Sequence, residues 1–423
     1  MKRSLGRAYR LLWASNAASA VGTGMTITAI PLVASVGVDS EVTLGVVAAA
    51  GILPGLLFAV PAGVLTDRVD RRGLLVASDL MRAIVVTLAF IAVALDMAGA
   101  AVLALTTFLV GVGETVFISA SQAIVPSVVQ VADLDEANGR LQAAEDVGRE
   151  FVGPPIGSWS FTLVNWLPFA ADAVTYVLSA AVLWRLPRRS AAEHGGHDDI
   201  TATTTVPAVA AIGAPTRTGM REAWSFFRRS RTLVVLGVSM FVLAMSGSSV
   251  LALIVLVVRD QLGIDGAWYG PALAVMALGS TGAGLLAGRL RRLLAVKSAM
   301  VIAVAANAIS YLILGSTGLW PVGLCAMTLW GFAVTFGNIT SVGIRQRTIP
   351  GPLMGRTMSL FRTSLGAGGL MGALAGGVLA SSTSAATVAV VAGLVQLPVV
   401  ALLLLGLPSG LGDHAALSRL RAL

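Results

Sequence analysis

About twelve times between residues 11 and 407, a run of roughly 20 mostly apolar residues recurs, the length that crosses the hydrocarbon core of a bilayer. The runs lie at approximately 11–36, 42–65, 73–95, 102–125, 146–165, 167–186, 232–258, 268–288, 298–316, 320–344, 357–380 and 385–407. A membrane helix satisfies its backbone polar groups within one segment, so the pattern predicts an all-α integral membrane protein. Composition agrees: 56% of the 423 residues are hydrophobic and 12% are charged, against roughly 25% charged in a soluble domain. The 47 glycines and 16 prolines are compatible with helices packed in lipid. A lone cysteine, Cys325, excludes an intramolecular disulfide. No cleavable leader is expected, because the first apolar run is too long for one.

The runs form two sets. Residues 1–186 read as a first half and 232–408 as a second, with a polar linker at 187–231 and a tail at 409–423. The linker contains His194, His197 and the run 201-TATTTVPAVAAIGAPTRTG-219, then an arginine cluster from Arg217 to Arg231. With an even number of spans both termini share one side. Lys2, Arg3, Arg7, Arg10, Arg68, Arg71, Arg72, the linker arginines, Arg291, Arg292, Lys297, Arg345, Arg347 and Arg356 fall there, whereas the opposite loops hold Arg259. The positive-inside rule therefore predicts cytoplasmic termini, and the +8 net charge calls for no nucleic-acid partner. Trp13, Trp166, Trp184, Trp268 and Trp320 fall near span ends, as an aromatic belt requires. Trp330 lies mid-span, where it either packs in the core or stacks on a flat substrate.

The turn between the second and third runs reads 63-GVLTDRVDRR-72. Gly63 is expected to allow close helix approach, and Asp67 is a carboxylate among Arg68, Arg71 and Arg72. This stretch resembles the G-x-L-x-D-R-x-G-R-R/K loop of the major facilitator superfamily, with Asp70 in place of the usual glycine. The resemblance implies two six-helix halves rocking about a midplane cavity, with Gly63, Asp67, Arg68, Arg71 and Arg72 as a latch between conformations. The fifth run opens with 148-GREFVGPPIG-157, which resembles the antiporter motif of the superfamily's drug exporters through Gly153, Pro154 and Gly157. Gly148 stands one residue further away than in that motif. A Gly-Pro pair also frees a backbone carbonyl and permits a kink.

The halves echo each other. A proline follows an apolar helix in both 124-IVPSVVQ-130 and 349-IPGPLMGRTMSLFR-362, and Gly139-Arg140 and Gly355-Arg356 open the next helix. Repeats of this kind characterise transporter folds. The pieces 76-VASDLMRA-83, 138-NGRLQAAEDVGRE-150 and 354-MGRTMSLFR-362 are similar to the branch that contains macrolide-efflux proteins and siderophore exporters. That resemblance implies a bacterial inner-membrane, monomeric secondary transporter that exports a small amphipathic molecule by proton antiport.

The chain has no phosphate-binding G-x-x-x-x-G-K-[ST] sequence, so an ion gradient is the expected energy source. His194, His197 and His414 lie in the linker or tail, which leaves carboxylates to carry a proton. Asp39, Glu41, Asp96, Asp260 and Asp265 sit at the opposite loops, and none occurs between Asp265 and Asp413. Glu145, Asp146 and Glu150 are expected to pair with Arg149. Three intramembrane candidates remain. Asp79 and Arg82 are three apart on one helix face and are expected to satisfy each other or a loop partner; Asp172 lies near the outer end of a span, where it can remain hydrated; and Glu114 lies near the bilayer centre. A carboxylate there is costly unless protonated, paired or facing a wet cavity. Glu114 therefore either carries the coupling proton, pairs with a cationic substrate, or makes a structural hydrogen bond. Asn16, Met245, Trp330 and Asn338 are further cavity candidates, each also readable as packing.

The expected partners are a small-molecule substrate, protons and lipid. No enzyme activity, cofactor or metal is expected, since the spans hold no ligand cluster. Two other readings are a lipid or nutrient transporter of the same fold, and a non-transporting membrane sensor or scaffold.

Overall fold

The computed structural model describes residues 5–35, 40–186 and 217–408. Lys2, Arg3, Asp39, linker residues 187–216 with His194 and His197, and tail residues 409–423 with Asp413 and His414 lie outside the described residues. Every regular element described is helical. The first group comprises α1 (Arg7–Ala34), α2 (Ser40–Arg68), α3 (Arg71–Ala94), α4 (Ala100–Val128), α5 (Leu134–Asp146), α6 (Gly153–Leu163) and α7 (Leu167–Leu183). A short α8 (Arg217–Arg229) precedes the second group: α9 (Arg231–Leu256), α10 (Tyr269–Leu293), α11 (Val296–Ser316), α12 (Trp320–Thr348), α13 (Met354–Ser382) and α14 (Ala385–Gly406).

Among the described residues, ten helices are long and apolar enough to cross a membrane: α1 to α4 and α9 to α14. The expected fifth span is a composite rod in which a π turn, Val147–Val152, joins α5 to α6; the expected sixth corresponds to the 17-residue α7. The π turn has a local cause. Pro154 and Pro155 lack the N–H that an α-helix needs and crowd the preceding turn. The backbone responds with a longer bond, from the Gly153 N–H to the Gly148 carbonyl.

The two groups meet at one end and part at the other. Near the α1–α2 connection a single apolar core runs through both, from Ala29, Leu44, Val86 and Phe169 to Leu253, Tyr311, Met327 and Ala389. Toward the 63–72 turn it divides. Tyr9, Leu75, Phe117, Leu141 and Leu183 form one cluster within the first group, and Leu233, Met300, Ile344, Phe361 and Leu403 another within the second.

Two seams join the groups: α2 against α13, and α6 against α10. Both are backbone contacts. A Cβ on Gly45 would lie 2.7 Å from the Ala373 carbonyl oxygen, one on Gly377 2.7 Å from that of Glu41, and one on Gly270 would overlap the Pro154 carbonyl. Ser158 adds a hydrogen bond to the Ala267 carbonyl at 2.9 Å, and Arg259 reaches the Ser35 hydroxyl at 3.2 Å.

Candidate functional site

The 63–72 turn is held by its own half. Asp70 caps α3 by accepting from the Gly73 N–H at 3.1 Å, which gives the residue in the usual glycine's place a structural use. Arg71 donates to the Ala123 carbonyl on α4 at 2.8 Å, while Arg72 donates to the Trp184 carbonyl and lies 5.1 Å over that ring. Asp67 and Arg68 are exposed and make no ion pair among the described residues. The close approach expected at Gly63 is absent: no atom lies within 4 Å of where its Cβ would be, because α2 leaves the second group at this end.

Glycines and a proline of the fifth span press against α1 and α10. A Cβ on Gly153 would stand 2.6 Å from the Val21 carbonyl oxygen, and one on Gly157 2.8 Å from that of Met25. Gly148 also faces α1, at Ala17, Ala20 and Val21. The π turn explains how Gly148 can stand one residue further from Gly153 and still share its face. Pro154 is buried, with its carbonyl against Gly270.

Two of the candidate carboxylates are sealed inside the first group. Asp79 has no exposed surface; it pairs with Arg82 as its spacing requires and accepts a 2.5 Å hydrogen bond from Ser179 on α7. The Arg82 guanidinium lies between two rings, 4.6 Å from Phe117 on α4 and 4.4 Å from Tyr176 on α7. Gly113 leaves it room, since a Cβ there would come within 2.7 Å of the Arg82 stem. Asp172, expected to be hydrated, is instead fully buried. It lies one helical turn inside α7 against α1, accepts from Thr26 at 2.5 Å and from Thr175 at 3.2 Å, and fits because Gly22 presents no side chain. Thr23 and Tyr176 share a 2.8 Å hydrogen bond nearby.

Glu114 differs. It stands midway between Ala100 and Val128, the ends of α4, and forms an ion pair with Arg149 of the π turn. The two side chains keep 21% and 34% of their surface exposed, so this pair is not enclosed by packed helices as Asp79 and Asp172 are. The expected pairing of Arg149 with Glu145, Asp146 and Glu150 is thus replaced: the π turn directs Arg149 across to α4, while Asp146 accepts from Gln142. The partner of Arg149 is 35 residues away in sequence, beyond the reach of local spacing. Thr26, Tyr176 and Ser179 carry no signal in the sequence, since their partners belong to other helices.

Of the further cavity candidates, Asn16 is buried and points its amide toward the Leu141 carbonyl at 3.5 Å, at the α1–α5 contact. Trp330 is 5% exposed and packs edge-on against Tyr311 at 5.1 Å, so core packing accounts for it. Met245 is half-buried, with its carbonyl against Gly372 of α13, and Asn338 is exposed. The second group contributes a buried cation, Arg345. It lies 4.9 Å over Phe361 and bonds to the Ser341 carbonyl at 3.4 Å, with no carboxylate paired to it among the described residues.

Comparison with known proteins follows this architecture. The sequence profile of the transmembrane secretion effectors, MFS_3, matches residues 5–420. A multidrug efflux pump, Tap, of Mycolicibacterium fortuitum is 27% identical over 384 residues, covering 88% of each chain. Among solved structures, the nucleoside transporter NupG superposes with a TM-score of 0.74 at 13% identity, over 94% of this chain and 98% of that one. An inward-facing bacterial homologue of the iron transporter ferroportin gives 0.69 at 18% identity, over 95% and 99%. An inward-facing, unoccupied bacterial homologue of the human lysosomal transporter Spinster gives 0.64 at 16% identity, over 100% and 98%. The chain belongs to the transmembrane secretion effector family of the major facilitator superfamily: it is a multi-pass membrane transporter for small molecules and not an enzyme.

Proposed function

We propose that this protein exports a small amphipathic compound from a bacterial cytoplasm by proton antiport, acting as a monomer in the inner membrane. In this reading twelve spans form two halves, 1–186 and 232–408, joined by a cytoplasmic linker, with both termini and the 63–72 turn on the cytoplasmic side. The division of the apolar core at the turn end would then correspond to a cavity open to the cytoplasm. The similarity to the efflux pump Tap supports export.

The observation that carries the mechanism is the partly exposed Glu114–Arg149 pair at mid-height of α4, which in this reading faces the wet cavity. An ionised Glu114 holds Arg149; a proton arriving at Glu114 removes the charge and frees the guanidinium. A cationic group on a substrate competes with the same proton for the same carboxylate, and that competition produces exchange. Asp79 and Asp172, sealed and hydrogen-bonded, serve to hold α1, α3 and α7 together and rank behind Glu114 as proton carriers. Asp67, exposed with the turn's cations, is the latch group available to a partner when the turn end closes.

The test is accumulation of a macrolide and of a cationic dye in efflux-deficient bacteria producing wild type or Glu114→Gln, with and without a proton gradient. We expect gradient-dependent extrusion in wild type and accumulation at the empty-vector level in the variant. Extrusion by Glu114→Gln with unaltered gradient dependence refutes the coupling role.

A further inference from the structure

We propose that the junction of α8, α9 and α14 binds the headgroup of an anionic phospholipid. A cavity of about 530 Å³ opens there, lined by Arg229, Ser230 and Arg231 together with the apolar Phe226, Leu353 and Leu407. Its volume lies in the range of small-ligand sites. The level is set by its walls: Arg231 and Thr232 begin α9, and Leu405 and Gly406 end α14, so the cavity sits where membrane helices leave the hydrocarbon. The lining thus changes from apolar to cationic where a phospholipid changes from acyl chain to phosphate.

The charge is available. Arg231 spends one guanidinium N–H on the Leu405 carbonyl at 3.0 Å, which ties α9 to α14 and leaves other donors of the same fork unspent. Arg229 has no carboxylate partner among the described residues, and neither do the exposed Arg221 and Arg228. Glu222 also lines the cavity and is the single acid of α8; the arginines outnumber it, so the rim selects an anion.

The helix itself is built for an interface. Phe226 and Phe227 enter the second half's apolar cluster, and Phe227 meets Phe361 edge-on at 5.5 Å. Trp224 stacks on Phe227 at 5.8 Å yet remains 49% exposed, an amphipathic ring placed at the membrane surface. A water-soluble phosphate has no use for the apolar wall, which favours the lipid.

The test uses the full chain with Cys325→Ser and Leu404→Cys, an exposed position beside the cavity but outside its lining, with a fluorophore on the new thiol, in bilayer nanodiscs of phosphatidylcholine. Brominated phosphatidylglycerol, phosphatidylethanolamine or phosphatidylcholine is added as quencher at equal mole fraction. We expect phosphatidylglycerol to quench preferentially, with its relative association falling about fivefold for each arginine neutralised in Arg229→Gln and Arg231→Gln. Arg229→Lys with Arg231→Lys should retain most of the preference, which separates charge from misfolding. Equal quenching by the three lipids, equal preference for phosphatidylethanolamine, an unchanged preference in the glutamine variants, or displacement of the lipid by millimolar glycerol phosphate would each overturn the proposal.

Discussion

Replacing Asp79 by alanine should be among the most damaging single changes to the first half. The carboxylate has no exposed surface, and its removal strands the Arg82 guanidinium, itself 3% exposed, in an apolar interior. Breaking one side of a buried ion pair costs about 3–5 kcal/mol. The Ser179 hydrogen bond to the carboxylate is lost as well, a charged bond of about 1.5–3 kcal/mol by itself. These losses overlap, because both measure the same carboxylate. The rings of Phe117 and Tyr176 still face the cation, at up to about 2 kcal/mol each when desolvated, and keep the total near 3–5 kcal/mol. Removing both charges tells a different story: Asp79→Leu with Arg82→Met fills the space without an ion, and such replacements are often neutral. The double variant should return to within about 2 kcal/mol of wild type. Equilibrium unfolding in mixed dodecyl sulfate and dodecyl maltoside micelles, followed by far-ultraviolet circular dichroism, measures both. A single-variant loss below about 1 kcal/mol, the worth of a solvated surface pair, or a double variant no better than the single, would refute the argument.

Glycines of similar outward appearance should respond oppositely. Gly153→Ala forces a Cβ against backbone atoms of α1 and should cost about 1–3 kcal/mol in the same assay, whereas Gly63→Ala enters open space and should gain up to about 1 kcal/mol from helix propensity. Asp70→Ala removes the α3 cap and should lose about 1 kcal/mol, with Asp70→Ser restoring most of it. Gly45→Leu should pry α2 from α13; cysteines placed on the two helices near this seam should gain reactivity toward an impermeant thiol reagent added from outside, and unchanged labelling would count against the seam.

Hydropathy located the ten long helices because a membrane helix announces itself over some 20 residues, while the rod from 134 to 163 and the 17-residue α7 fall short of that signal. The i, i+3 spacing put Asp79 and Arg82 on one face, and of the two partners it left open, each other or a loop group, they take each other. Pairs between helices were not legible: Thr26 and Asp172 are 146 positions apart, and apolarity on every face hides which side of a span meets protein. The same ambiguity placed Asp172 in water and gave Gly63 a neighbour. The helical part of the linker does carry a signal, Ala223, Phe226 and Phe227 at helical spacing among arginines, which charge alone does not show. Arg149 could not be assigned from helical periodicity, since the backbone between Gly148 and Gly153 is not α-helical.

That π turn alters how the rod from 134 to 163 should be counted. Along its length Ala137, Leu141, Gly148, Gly153 and Gly157 touch α1, with Arg140 and Arg149 beside them, so the stripe steps by four, then seven, then five, then four. In an unbroken helix each residue advances the azimuth by about 100°, and the step of five would throw Gly153 and Gly157 out of phase with the positions before them. The longer turn absorbs that advance and keeps one stripe in register along α1. Relatives whose glycines stand four apart would present the same stripe without it. Turns, rather than residues, are therefore the unit in which this span should be aligned.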